Sequence, residues 1–182
     1  VPYHSARSYI FKLIEEGLKV AICEQVEDPS QAKGIVKREV VRVVTPGSIV
    51  DESGIEEAAS LYMAAISGEN GGYGLAFVDL STGEFRVTEV DEWRELVDEL
   101  GRIGPAELLI PEADNLAGNN DLSRYRVEIL NKERYDKDEA EALLKEQLGV
   151  RSLDGFGCAG MKHGIAAAGA VVYYLKETQK VN

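Results

Sequence analysis

Residues 61–90 read LYMAAISGENGGYGLAFVDLSTGEFRVTEV, and this stretch decides the fold. Segments 61–67, 73–80 and 84–90 are short and mostly apolar, aromatic or β-branched, and two turn-forming clusters separate them: the Gly-rich 68–72 and Ser81-Thr82-Gly83. Strands joined by turns this tight predict an antiparallel meander.

Downstream the apolar period lengthens. Asp91 is placed to cap a helix whose apolar face is Trp93, Leu96, Val97 and Leu100, with Gly101 and Gly104-Pro105 placed to end it. Residues 106–110 (AELLI) read as a buried strand, the polar stretch 112–120 stands where a further helix is missing or degenerate, and 125–130 supplies a fifth strand. Asp136 with Glu139 three residues on resembles a capping box for a helix with Ala140, Leu143, Leu144 and Leu148 on one side. A last helix over 164–179 sets Gly164, Ala168 and Gly169 beside Val172 and Leu175. Strands separated by a helix prefer right-handed parallel crossovers, so this order predicts an α/β fold with a mixed sheet flanked by helices. It is the order of a ribonuclease-H-like fold.

Upstream, Ala6, Tyr9, Ile10, Leu13 and Ile14 recur at helical spacing before Gly17, and 18–24 (LKVAICE) and 39–44 (EVVRVV) read as strands around the break at Glu27-Asp28-Pro29. One helix and two strands are too little for a core of their own, so this α/β segment is incomplete and should expose apolar surface, inviting self-association or a swapped arrangement. The expected domains are 1–47 for that segment, an acidic linker over 48–60, and the sheet domain over 61–182.

With 182 residues, 45% hydrophobic and 29% charged, the chain suits one medium core, or one core and a smaller appendage. Its longest weakly polar stretch, 164–175, falls well short of the roughly 20 apolar residues of a membrane span, so no membrane segment is expected. No basic and then apolar signal segment opens the chain, which starts at Val1, and an internal fragment is expected. Cys23 and Cys158 lack the spacing of a disulfide framework or zinc site, which fits a reducing, cytoplasmic setting. The net charge of -12 argues against nucleic acid until its distribution is considered. Residues 1–47 hold seven basic and six acidic side chains, net +1, leaving -13 for the remainder. Lys33, Lys37, Arg38 and Arg42 concentrate the positive charge against a single Glu39, so any DNA-facing part lies here.

Other signals carry less. Gly155, Gly157 and Gly160 spell G-x-G-x-x-G, but the motif follows a helix instead of a strand, and a tight turn is the better reading than a dinucleotide site. A ribonuclease-H-like order raises the alternative of a metal-dependent nuclease, with Asp79 and Glu84 across a short turn and Glu107 and Asp114 as further carboxylates. Asp79 reads equally well as a turn residue bonding its own backbone. His4 and His163 have no companions at ligand spacing, so no metal is expected, and Cys158 reads as a small packing residue in a Gly-rich turn.

Three blocks, Val1-Pro2-Tyr3-His4-Ser5, 20–25 (VAICEQ) with Asp28-Pro29, and 37–47 (KREVVRVVTPG), resemble consecutive blocks of the bacterial MutS family. Segments 79–85 (DLSTGEF) and 105–109 (PAELL), and the Gly155-Phe156-Gly157 turn with the Ala-rich helix ending Thr178-Gln179, resemble that family's connector. The resemblance implies the end of mismatch-recognition domain I followed by connector domain II. It implies, for the full-length protein, a homodimeric clamp that recognises mismatched double-stranded DNA and uses ATP and Mg²⁺ to signal to MutL. The family's Phe-x-Glu wedge falls upstream of Val1, and its P-loop, G-x-x-x-x-G-K-[ST], has no match here, so this chain is expected to be non-catalytic and to hold no cofactor. DNA contact is expected from Lys33, Lys37, Arg38 and Arg42. The acidic connector suits a protein partner better than DNA, and MutL is expected on the 136–147 helix and the 151–155 loop, through Lys137, Glu141, Lys145, Glu146 and Arg151. That polar face reads equally as ordinary solvated surface. The alternatives are the nuclease above and a MutS paralogue working outside mismatch repair.

Overall fold

Alternation of apolar residues and the positions of glycine set the elements. In the computed structural model, residues 3–28, 34–48, 61–69, 71–112, 116 and 118–179 are described. They fall into two compact units, one within Val1–Pro46 and Leu175–Asn182, the other Gly47–Tyr174.

The first unit holds α1 (Tyr3–Glu15), β1 (Val20–Gln25) and β2 (Arg38–Val44). Gly17, at φ 83°, ends α1. Its N–H donates to the Ile14 carbonyl at 2.8 Å and that of Leu18 to Leu13 at 3.0 Å, the paired bonds of a Schellman cap. Ile14 is buried, whereas Tyr9 and Leu13 on the same apolar stripe stay exposed. β1 and β2 pair antiparallel, with a bulge where the register shifts at Ile22/Cys23.

The second unit is built on β3 (Tyr62–Glu69), β4 (Gly72–Asp79), β5 (Glu84–Val90), β6 (Glu107–Pro111) and β7 (Val127–Leu130). Its sheet order is β5-β4-β3-β6-β7. The first three strands form the antiparallel meander, and β6 and β7 join parallel beyond β3. This is the ribonuclease-H-like arrangement in a mixed sheet flanked by helices. Met63, Ile66, Leu75, Leu108, Leu109 and Ile110 are fully buried in it. At about 25 cal/mol per Å² of apolar surface, side chains of this size supply the main stabilising term.

Three helices cover the sheet: α2 (Trp93–Ile103), α3 (Lys137–Leu148) and α4 (Lys162–Gln179). Two expectations about α2 fail. Its N-cap is Glu92, without a side-chain capping bond, instead of Asp91, and Gly101 lies inside the helix. The stop is Gly104, left-handed at φ 61°, whose N–H closes on the Leu100 carbonyl at 2.9 Å. On α3 the Asp136 cap is as expected, its carboxylate accepting from the Asp138 and Glu139 amides at 2.9 and 3.0 Å. The buried side of α3 is narrower than its sequence suggests: Ala140 and Leu144 are covered, while Leu148 is exposed. In the polar connection before β7, Asn120–Leu122 forms one turn of 3-10 helix, pinned by buried Leu116 and Leu122.

The start of α4 lies directly on the sheet. A Cβ on Gly74 would stand 2.0–2.3 Å from backbone atoms of His163 and Gly164, so only glycine admits that approach. The Glu89 carboxylate on β5 caps the helix, accepting from the His163 amide and from the Gly164 amide at 2.8 Å. Further along, a Cβ on Gly169 would meet Ala140 Cβ at 2.3 Å, which sets how closely α4 and α3 pack.

Candidate functional site

The basic strand separates its charges. Lys33 lies outside the described residues. Lys37 just precedes β2 and is exposed, with Nζ 2.6 Å from Glu39 Oε1 and its amide donating to Glu27 Oε1 at 2.5 Å. Arg38 is exposed and pairs across the strands with Gln25. In a regular strand Arg42 would share its face, four residues on. The bulge intervenes: Val40 pairs with Cys23 but Arg42 pairs with Ile22. Paired residues share a face, so Arg42 turns to the side of Val20, Ile22 and Val44. It is half-buried there, and Val44 beside it is buried. Lys37 and Arg38 therefore remain the solvent-facing cations of the cluster among the described residues, and Lys37 is already paired with a carboxylate.

The expected partner surface is organised differently. Lys137, Glu141 and Lys145 stand at successive i, i+4 positions and form one ladder, with Nζ to carboxylate distances of 3.7 and 2.5 Å. Lys145 first, and Lys137 after it, hold the Glu141 carboxyl below its ordinary value. Glu146 lies about 100° further round the helix. It lines an open groove of about 370 Å³ with Arg134, Glu139, Leu143, Gly169 and Tyr173. The Arg134 guanidinium, part of that lining, stacks 4.2 Å above the Tyr173 ring.

Arg151 is exposed beyond the left-handed Gly149 that ends α3. The chain then makes a tight 3-10 turn, Asp154–Phe156, closed by Gly157 at φ 73°. Buried Leu153 anchors the turn, and Ser152 Oγ braces it, donating to Asp154 Oδ2 at 2.5 Å and accepting from the Asp154 amide at 3.1 Å. Phe156 is carried outward, 55% exposed. The G-x-G-x-x-G glycines thus shape a turn between two helices. The aromatic residue they present was not singled out as a site by the sequence reading, although a Phe between two glycines in a polar stretch was the available signal.

Three carboxylates of the nuclease alternative, Asp79, Glu84 and Glu107, are engaged in the fold. Asp79 is buried, and its Oδ1 accepts from the Ser81 amide at 2.8 Å and the Ser81 hydroxyl at 2.6 Å. That hydroxyl bond, opposed by burial and aided by the backbone bonds of Ser81 and Thr82, holds the carboxyl below its ordinary value. Glu84, opposite it on β5, accepts from the Tyr62 hydroxyl at 3.0 Å and pairs with Arg86 at 2.5 Å. Glu107 is buried and takes bonds from the Gly47 amide and the Tyr174 hydroxyl. Asp114 lies outside the described residues, among which no three His, Cys, Asp or Glu side chains gather in a way that could hold a metal ion. His163 serves at the helix start through its backbone, and Cys158 is half-buried in the turn leading to α4. No described helix is long and apolar enough to cross a membrane.

A five-stranded mixed sheet flanked by helices, beside a small α/β unit with a basic strand, defines a mixed α/β protein in two units. Family models described as MutS domain I and MutS domain II match residues 1–53 and 61–182. DNA mismatch repair protein MutS of Desulfosudis oleivorans is 46% identical over 99% of this chain and 21% of its own length. That of Syntrophobacter fumaroxidans is 44% identical over 97% of this chain and 20% of its own. The solved structure of T. thermophilus RuvC in complex with a Holliday junction substrate aligns with a TM-score of 0.42 and 13% identity, over 65% of this chain and 97% of that one. The chain belongs to the MutS family of DNA mismatch repair proteins and spans about a fifth of the length of the curated relatives it matches.

Proposed function

We propose that this chain is a non-catalytic coupling module of a mismatch-recognition ATPase, and that its second unit offers a docking surface for MutL. The observation that carries this reading is Phe156, 55% exposed on a braced turn, with Arg151 exposed just before it. An aromatic side chain held out by a rigid turn costs little entropy to bury, and such residues beside an arginine are typical anchors of protein interfaces. The Lys137–Glu141–Lys145 ladder supplies a polar rim whose charges are already ordered. Of the first unit, Lys37 and Arg38 are the side chains suited to phosphate contact in the whole protein, with Lys33 from its neighbouring sequence. Arg42 acts more as a strand-packing residue. Homodimerisation, mismatched DNA and a cytoplasmic setting belong to this reading at the level of the full-length protein. ATP and Mg²⁺ do too, but no Gly-Lys-Ser or Gly-Lys-Thr occurs in this sequence to cradle a nucleotide phosphate, and no step through ATP is assigned to the chain.

The test is a titration of purified MutL against this chain at physiological salt, with Phe156→Ala, Arg151→Glu and Lys145→Glu alongside. Saturable binding is expected, with Phe156→Ala weakening it roughly 30-fold, the loss of a buried aromatic anchor. The charge reversals should weaken it several-fold. Absence of binding by the folded chain, or binding indifferent to all three changes, would remove this surface from the docking role.

A further inference from the structure

Glu107 is an acidic side chain only 2% exposed at the start of β6. A buried carboxylate is costly unless its oxygens are bonded. Here Oε2 accepts the Gly47 amide at 3.2 Å and Oε1 accepts the Tyr174 hydroxyl at 2.7 Å. What distinguishes these two donors is their place in the chain. Gly47 is the first residue of the second unit and Tyr174 is its last, so the chain passes between the units at Pro46–Gly47 and, within the unbroken helix α4, at Tyr174–Leu175. One carboxylate holds both crossings from the inside of the second unit. The backbone at Gly47 is drawn tightly onto the sheet, since a Cβ there would stand 3.0 Å from Glu107 Cβ and 3.0 Å from Met63 Cβ. Met63 and Glu107 are themselves register partners on β3 and β6, the strands at the centre of the sheet.

We infer that Glu107 is a latch coupling the two crossings. The Tyr174 hydroxyl is the nearer donor and fixes the rotamer of the carboxylate, and the longer Gly47 bond depends on that rotamer. Displacing the chain at Tyr174 therefore loosens it at Gly47, and the reverse. Both bonds lie within the second unit and involve none of the docking residues, so a failed MutL titration leaves the latch intact.

Tyr174→Phe removes one hydroxyl and leaves the Gly47 bond untouched in composition. Amide hydrogen exchange on the isotopically labelled 182-residue chain reads the result. Exchange at Gly47 should accelerate about tenfold, as expected when a hydrogen bond to a charged group is weakened by about its net worth. The amides of Leu75 and Leu108 in the sheet core should keep their rates, and Tyr173→Phe, one residue away, should change none of the three. Glu107→Asp, which keeps the charge but shortens the reach, should act at Gly47 as Tyr174→Phe does and covers the case of a poorly folding phenylalanine variant. Unchanged exchange at Gly47 would overturn the latch. Equal acceleration at Gly47, Leu75 and Leu108 would also overturn it, because that pattern is a general loss of stability.

Discussion

Gly74→Ala adds one methyl group where β4 meets the start of α4, and the structure gives the size of the conflict. The new Cβ would lie 2.0 Å from the His163 carbonyl carbon, 2.2 Å from its oxygen and 2.3 Å from the Gly164 nitrogen. Ordinary contacts begin near 3.4 Å, and the atoms in the way are backbone, which no rotamer change can move aside. The helix must retreat by about 1.4 Å to restore ordinary contact, which stretches the bonds from the His163 and Gly164 amides to Glu89. Overpacking of this kind costs about 1–3 kcal/mol, and losing the cap adds about 1 kcal/mol. A total of about 3 kcal/mol is a large share of the roughly 5–15 kcal/mol that holds a domain folded. It should lower Tm by about 6–12 °C in a chain of this size. Trp93, the single tryptophan, reports on this unit: it is edge-on to Tyr73, 5.4 Å between centroids, and its indole donates to Asp121 at 2.7 Å. Urea unfolding followed by Trp93 fluorescence is the assay, with Gly155→Ala, whose Cβ meets nothing within 4 Å, as the control. A Gly74→Ala midpoint indistinguishable from that of the control would refute the close approach of α4 to the sheet.

Asp136→Ala removes the side chain that accepts two amides at the start of α3, and thermal unfolding should show a loss of about 1 kcal/mol. Asp79→Ala frees the Ser81 amide and hydroxyl from a buried carboxylate and should cost about 1–3 kcal/mol at neutral pH. The pH dependence of that loss is a separate check. Because the folded carboxyl is held below its ordinary value, its contribution is complete above the unfolded pKa of about 3.9 and disappears as pH falls through the depressed folded value. The parent and Asp79→Ala stabilities, measured by urea unfolding from pH 7 downward, should therefore draw closer below about pH 4, and a constant gap would contradict the assignment.

The fold was legible where local chemistry and tertiary need agree. Segments 61–67, 73–80 and 84–90 became β3, β4 and β5 within a residue or two, because turns as short as Ser81-Thr82-Gly83 leave antiparallel pairing as the outcome. Burial on both faces made 106–110 readable as β6. The misplaced cap of α2 has a different cause. Both Asp91 and Glu92 precede the apolar face, and the choice between them depends on where β5 releases the chain, which the local sequence does not contain. The narrow buried side of α3 also has a tertiary origin. Gly169 lets α4 close on Ala140, so burial concentrates there and Leu148, about two turns further on, is left outside.

The candidate sites were less legible, and the reason lies in single-residue offsets. Lys37, Arg38 and Arg42 form a cluster in sequence, but strand geometry turns spacing into direction only while the register is regular. One extra residue between the Cys23–Val40 and Ile22–Arg42 pairs sends Arg42 to the buried face and leaves Arg38 on the other. Nothing in EVVRVV announces that bulge, since valine suits either side of a strand. The same dependence on distant partners governs Glu107. As a sequence feature it was one carboxylate among 32 acidic residues, and its place between Gly47 and Tyr174, 60 and 67 residues away, exists only once the sheet has closed. Glu107 is thereby removed from the set of carboxylates free to bind a metal and becomes the group on which the two chain crossings depend.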